Sequence, residues 1–159
     1  MQSNTYLDYN GIRGEATAEG FKDKITLLSV DWSVGREITS YTGTSHDREA
    51  SAARLYDLTI TKLQDRSSTL LFQEATIGKG VPATFYITKQ GDKVEEIMNI
   101  KLTDAMISNF SVSIQDDRPV ETITISYTEM VMTVLPSNDQ NNNDGQFVYG
   151  YSGVLGQKM

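Results

Sequence analysis

The sequence predicts a mainly β domain, and three observations carry that prediction. Apolar and polar residues alternate with period 2 through most of the chain, the signature of strands with one buried and one wetted face. Only one stretch has the punctuation of a helix. The length, 159 residues, is that of a single domain able to bury a core without disulfides or metals.

The first clear strand sets Leu28, Val30, Trp32 and Val34 against Ser29, Asp31 and Ser33, predicting a core face and a wet face. Tyr56, Leu58 and Ile60 alternate with Asp57, Thr59 and Thr61. The segment Ser68 to Ile77 reads as a short helix, with Ser67 or Ser68 as N-cap, Leu70, Leu71 and Ala75 inward, and Gly78 as the C′ residue. Ala83, Phe85 and Ile87 alternate with Thr84, Tyr86 and Thr88 before a turn at Gln90-Gly91-Asp92. From Met98 an intermittent apolar series runs through Ile100, Leu102, Met106, Phe110, Val112 and Ile114. Asp104 and Ser108 interrupt it, which predicts a bend or bulge there. Between Val120 and Leu135 the apolar phase changes, from Ile123, Ile125 and Tyr127 to Met130, Met132 and Val134. That strand is therefore covered on both faces or kinked near Glu129.

Two stretches lack alternation. Thr39 to Ala53 is small and polar, and reads as a long extended loop, of a length that either carries a function or is disordered. Pro136 to Gln146 is rich in Asn and Asp and reads as a linker. After it, Phe147, Tyr149 and Tyr151 form an alternating aromatic strip that is expected to dock on another surface. On periodicity alone the architecture is a β-barrel or sandwich.

Composition narrows the chemistry. The 14 Lys and Arg against 21 Asp and Glu give a net charge of −7, which disfavours nucleic acid and anionic membrane as partners. With no cysteine, the fold is indifferent to redox compartment. The single histidine, His46, excludes mechanisms that need two imidazoles and argues against zinc. Its neighbours Ser45 and Asp47 are too close in sequence to form a triad. Asp31, Asp57, Asp104 and Glu129 read as members of wetted sheet faces, and Asp116-Asp117 lacks the spacing of a calcium loop. Gly78-Lys79-Gly80 lacks the glycine spacing of a phosphate loop and follows a helix where such a loop would precede one. No catalytic, cofactor or metal site is expected. The first residues show no secretory signal pattern, and no apolar run is long enough to span a bilayer.

In order and spacing, several segments together resemble the Hcp family of type VI secretion systems. They are Gly11-Ile12-Arg13-Gly14-Glu15-Ala16, Ile25 to Gly35 ending in Trp32-Ser33-Val34-Gly35, Leu58 to Lys62, and the helix entry Asp65-Arg66-Ser67-Ser68-Thr69-Leu70-Leu71-Phe72. Phe85 to Gln90 with Glu95-Glu96-Ile97, Ile100 to Ser108, Pro119 to Tyr127 and the terminal Tyr149-Gly150-Tyr151 complete the likeness. The chain departs from that pattern in having no glycine run in the long loop and Thr69 where proline is frequent.

The resemblance implies a β-barrel of two sheets with one flanking helix, assembling into six-membered rings that stack into a tube expelled by a contractile sheath. It implies that the partners are further copies of the chain, a VgrG-type spike, sheath proteins and effectors carried in the lumen. It also implies a protein that is cytoplasmic before firing and extracellular afterwards. Ser29, Asp31 and Ser33 are then candidates for the channel face. Tyr41, Thr44, His46, Asp47, Arg48 and Glu49 are candidates for ring stacking, and Phe147, Tyr149 and Tyr151 for subunit contact. The competing reading is a monomeric carbohydrate- or peptide-binding β-sandwich.

Overall fold

The computed structural model describes residues 2–40, 48–115, 117–136 and 145–159. In chain order its elements are β1 (Gln2–Tyr9), β2 (Ile25–Leu27), β3 (Ser29–Asp31), β4 (Val34–Gly35), β5 (Ile38–Ser40), β6 (Arg48–Ala50), β7 (Arg54–Leu55), β8 (Leu58–Leu63), α1 (Ser68–Ile77), β9 (Val81–Gln90), β10 (Val94–Ser113), β11 (Val120–Ser126), β12 (Glu129–Val134), β13 (Phe147–Ser152) and β14 (Gln157–Lys158). The fold is mainly β; among the described residues there is one helix and all strand pairing is antiparallel.

The long strand β10 belongs to two sheets. Its first half lies between β9 and β12, in a sheet that continues through β1 to β2 on one side and through β13 to β14 on the other. Its second half pairs with β11, which leads to β8 and β3. The change of sheet falls where the apolar series is interrupted. Asp104 has a φ of 54°, and the register shifts between Leu102 and Ala105 and again between Ile107 and Asn109. These bulges reset the inward phase, so Ile100, Leu102, Ala105 and Ile107 are buried, while Met106, in phase by sequence alone, is 46% exposed. On the other side the sheets are joined by Ile25 to Asp31: β2 pairs with β1, the Leu28 amide donates to Thr61 O (2.8 Å), and β3 pairs with β8. The result is two sheets clasped at both sides around one core, a barrel with a break in its ladder at Leu28.

That core is filled by Leu7, Tyr9, Ile25, Leu58, Ile60, Phe85, Ile100, Ile123 and Ile125, each side chain contributing about 1.5–3 kcal/mol through burial. β1, which has no simple alternation, sends Leu7 and Tyr9 into this core and Tyr6 into a second cluster, where its ring stacks on Phe21 at 4.9 Å. Both of its faces are covered, and the period-2 signal is erased. β11 and β12 form one continuous hairpin partner of β10, broken at Tyr127 and Thr128 just before Glu129, so the kinked alternative is the one realised. Leu28 (59% exposed) and Val34 (52%) do not join the core face expected for them, though Val30 and Trp32 pack against it.

The helix has the expected bounds. Leu71 is buried and Ala75 packs against the core, but Leu70 points outward. Gly78 ends the helix in an extended conformation (φ −65°, ψ 154°) and not the left-handed one expected; its amide still closes on Glu74 O at 3.1 Å.

Among the described residues of the stretch expected to be a loop, 39–40 and 48–50 are paired as strand, and the residues flanking the stretch are paired as well. β4 pairs with β7 and β5 with β6, continuing the β3–β8 hairpin outward as an arm. Tyr41, Thr44, His46 and Asp47 lie outside the described residues, as does most of the expected Pro136–Gln146 linker.

Candidate channel and assembly surfaces

Strand register builds the first surface. Ser29, Thr61, Thr122 and Ser111 stand opposite one another across four strands, and Asp31, Thr59, Thr124 and Asn109 form the next row. Successive side chains on a strand point to opposite faces, so the other face of these strands carries Val30, Ile60, Ile123 and Phe110 into the core. The outer face is a field of small hydroxyl and amide groups. Ser29 Oγ and Thr61 Oγ1 are hydrogen-bonded at 2.6 Å, and Asp31 is exposed, the one ionised group in the two rows. Ser33, also exposed, lies just beyond; its carbonyl accepts the Tyr56 amide at 3.2 Å. Two of the three channel candidates thus fall in the rows. The threonines of β8 and β11 belong with them, and only the pairing register reveals it.

A buried polar cluster fixes this sheet to the helix. Lys62 is fully buried and donates to Glu121 Oε1 at 2.6 Å, with Asp65 Oδ1 at 3.1 Å and Ser68 Oγ at 3.3 Å. Asp65 in turn accepts the Ser67 amide (2.9 Å) and hydroxyl. The next residue, Arg66, donates from Nε to Gly14 O at 2.5 Å and from Nη2 to Asp23 Oδ1 at 2.6 Å. The helix entry therefore grips the Gly11–Ala16 turn, which brings together two of the segments singled out in the sequence. The Arg13 hydrogen bond and the charges of Arg13 and Arg66 hold the Asp23 carboxyl below its usual range. A side chain at Gly14 would meet Ile25 Cα and Lys24 O at 2.6 Å, so glycine is required by close approach.

The third surface is apolar. Phe147, Val148 and Tyr149 of β13 are 65, 59 and 53% exposed, Tyr151 is half-buried, and β14 covers only Tyr151 and Ser152. Between this strip and the arm root lies an open groove of about 660 Å3. Trp32, Met130 and Met132 line it together with Tyr149 and Tyr151, and Val34, Arg36, Ala52 and Leu55 form the arm side. In the arm, Arg48 and Glu49 lie on β6, opposite Ser40 and Thr39. Among the described residues no cluster of His, Asp and Glu is placed to hold a metal ion, and no helix is long and apolar enough to cross a membrane.

Comparison with known proteins places this geometry. No curated protein matches the sequence. Among solved structures, one described as a type six secretion system protein is 25% identical, with 99% of this chain and 100% of that chain covered and a TM-score of 0.90. Hcp1 from Salmonella typhimurium is 22% identical over the whole of both chains, with a TM-score of 0.79. The secreted protein Hcp3 from Pseudomonas aeruginosa is 15% identical, covering 92% of this chain and 97% of its own, with a TM-score of 0.62. The family model described as "Type VI secretion system effector, Hcp" matches residues 6–134, and the chain therefore belongs to the Hcp family of type VI secretion proteins.

Proposed function

We propose that the protein is the ring-forming tube subunit of a type VI secretion system, six copies closing a ring and rings stacking into a hollow tube. The observation that carries this reading is the family match over residues 6–134. In this reading the hydroxyl rows face the channel. Two rows of small groups whose one charge per subunit is Asp31 give a wetted wall with few attachment points, suited to cargo that must also leave. The arm, with Arg48 and Glu49 on it, meets the next ring, and the strip at Phe147, Tyr149 and Tyr151 meets the neighbouring subunit. VgrG-type spike, sheath and effector proteins are the partners, and the protein passes from cytoplasm to exterior with the tube.

Native mass tests the ring directly. A species near six times the 17.7 kDa chain, annular in micrographs, is expected; a monomer at every concentration overturns the reading and favours the carbohydrate- or peptide-binding sandwich. Asp31→Arg places six cations on the channel wall and is expected to abolish co-purification of cargo while ring mass is unchanged. Rings that fall apart with cargo retained would make Asp31 an interface residue.

A further inference from the structure

The turn that leaves β1 carries the one Asn-Gly pair in the chain, Asn10-Gly11. Such a pair can modify itself without an enzyme. The glycine amide nitrogen attacks the asparagine Cγ, ammonia leaves, and the cyclic imide that remains takes up water to give an aspartyl or an isoaspartyl link. Glycine favours this because it has no side chain to obstruct ring closure. Here both residues are exposed, and a Cβ on Gly11 would meet nothing within 4 Å. Exposure and crowding therefore do not protect the pair. Hydrogen bonds do. Asn10 and Gly11 have φ of 50° and 78°, the left-handed pair of a type I′ turn, which the Ile12 amide closes on Tyr9 O at 3.0 Å. Within that turn the Gly11 amide, the nucleophile itself, donates to Asp8 Oδ1 at 3.0 Å.

We infer that Asn10 is a self-deamidation site held closed by Asp8. To react, the Gly11 nitrogen must turn toward Asn10 Cγ and give up its proton. A carboxylate on that N–H opposes both steps: the proton is engaged in a charge-assisted bond, and the anion left by its loss would stand beside a negative charge. Lys24 Nζ lies 3.7 Å from the other carboxylate oxygen, Oδ2, so the oxygen that holds Gly11 is left to the turn. Asp8 is thus a positioning residue that restrains a reaction. The turn has reason to keep the vulnerable pair, because both of its central residues need positive φ and Asn-Gly meets that need best. What the restraint protects is the segment that the turn launches. Arg66 Nε grips Gly14 O at 2.5 Å, and an isoaspartyl link would add a methylene to the main chain just upstream of that grip. The device lies within one copy and operates whether or not rings form.

Peptide mapping by mass spectrometry, with isoaspartate scored separately, tests this on the full folded chain in mildly alkaline buffer. In the folded parent Asn10 is expected to remain an amide over a period in which the same chain in denaturant converts it. Asp8→Ala is expected to raise the folded-state rate at Asn10 by at least about tenfold, the scale of a lost bond to a charged acceptor. Asp8→Asn, which keeps an acceptor oxygen without the charge, should fall between the two. Tyr127→Phe weakens the fold at the Tyr127–Tyr56 bond and leaves Asp8 in place, so its Asn10 rate should stay near the parent's. A folded parent that deamidates as fast as the denatured chain overturns the inference, as does an Asp8→Ala chain that keeps the parent's rate. An equal rise in Asp8→Ala and Tyr127→Phe would trace both to general loosening and overturn it as well.

Discussion

The root and the arm of one hairpin share a ladder and differ in what covers them. At the root, β3 and β8 bury Val30 and Ile60 on one face and present Ser29, Asp31, Thr59 and Thr61 on the other. In the arm the pairing continues through Val34–Leu55 and Ser40–Arg48, yet Val34 and Ile38 are 52 and 47% exposed. The comparison teaches that pairing alone writes no hydrophobic period: residues 39–40 and 48–50 are paired without one, while Val34 keeps the alternation of the root and is exposed. The root should then be sensitive to substitution in the isolated chain, and the arm only in the assembly.

The largest effect is expected at the root, at Lys62. Replacing it with Met leaves Glu121 and Asp65 buried without their cation, a change of the class that costs about 3–5 kcal/mol. Denaturant unfolding should show that loss. Adding Glu121→Leu should recover much of it, because an apolar pair of similar volume tolerates the site better than a lone carboxylate. If the double variant is no more stable than Lys62→Met alone, the cluster does not act as a unit.

A smaller effect is expected where the root meets the bend. Tyr127 donates to Tyr56 O at 2.7 Å, and burial, with the Asp57 charge adding to it, pushes its phenol up from 10.0 to about 12. Burial does the same to Tyr9, whose hydroxyl donates to Ala105 O at 3.2 Å and whose phenol is also pushed up to about 12. Because folding favours the neutral form, this stability is complete below pH 10 and is lost as pH rises from there through about 12. Tyr127→Phe should cost about 1 kcal/mol at neutral pH, while its decline above pH 10 should be shallower than the parent's, with Tyr9 left to titrate. An equally steep decline would remove Tyr127 from the account.

Much of this was legible in sequence because its causes are local. Ser67 and Gly78 mark the helix bounds, although Ser67 makes no side-chain capping bond, its hydroxyl going to Asp65, and Gly78 is extended; Asp104 and Ser108 mark the bulges by breaking a period. What was illegible depends on distant chain. Lys62 continues the inward phase of Leu58 and Ile60, and Glu121 that of Ile123 and Ile125. That shared phase was the available signal, but only pairing across 59 residues shows that the two charges meet. The threonine rows likewise need the register of four strands. Leu28, Val34 and Met106 were misplaced because alternation shows that a strand has an apolar side, not that the same protein covers it.

The smallest effect on the isolated chain belongs to the arm. Removing Gly43 to Ala50 takes away β6 and its pairing with β5 but no member of the core, so unfolding free energy should change by less than about 0.5 kcal/mol, the ordinary scale for surface changes. The same deletion should leave rings intact and abolish their stacking into tubes, read by micrographs of the two proteins at equal concentration. Tubes of unchanged length would show that the arm is not the stacking element. A large loss of monomer stability would show that the arm is covered within its own chain, and the contrast between root and arm would then be one of sequence only.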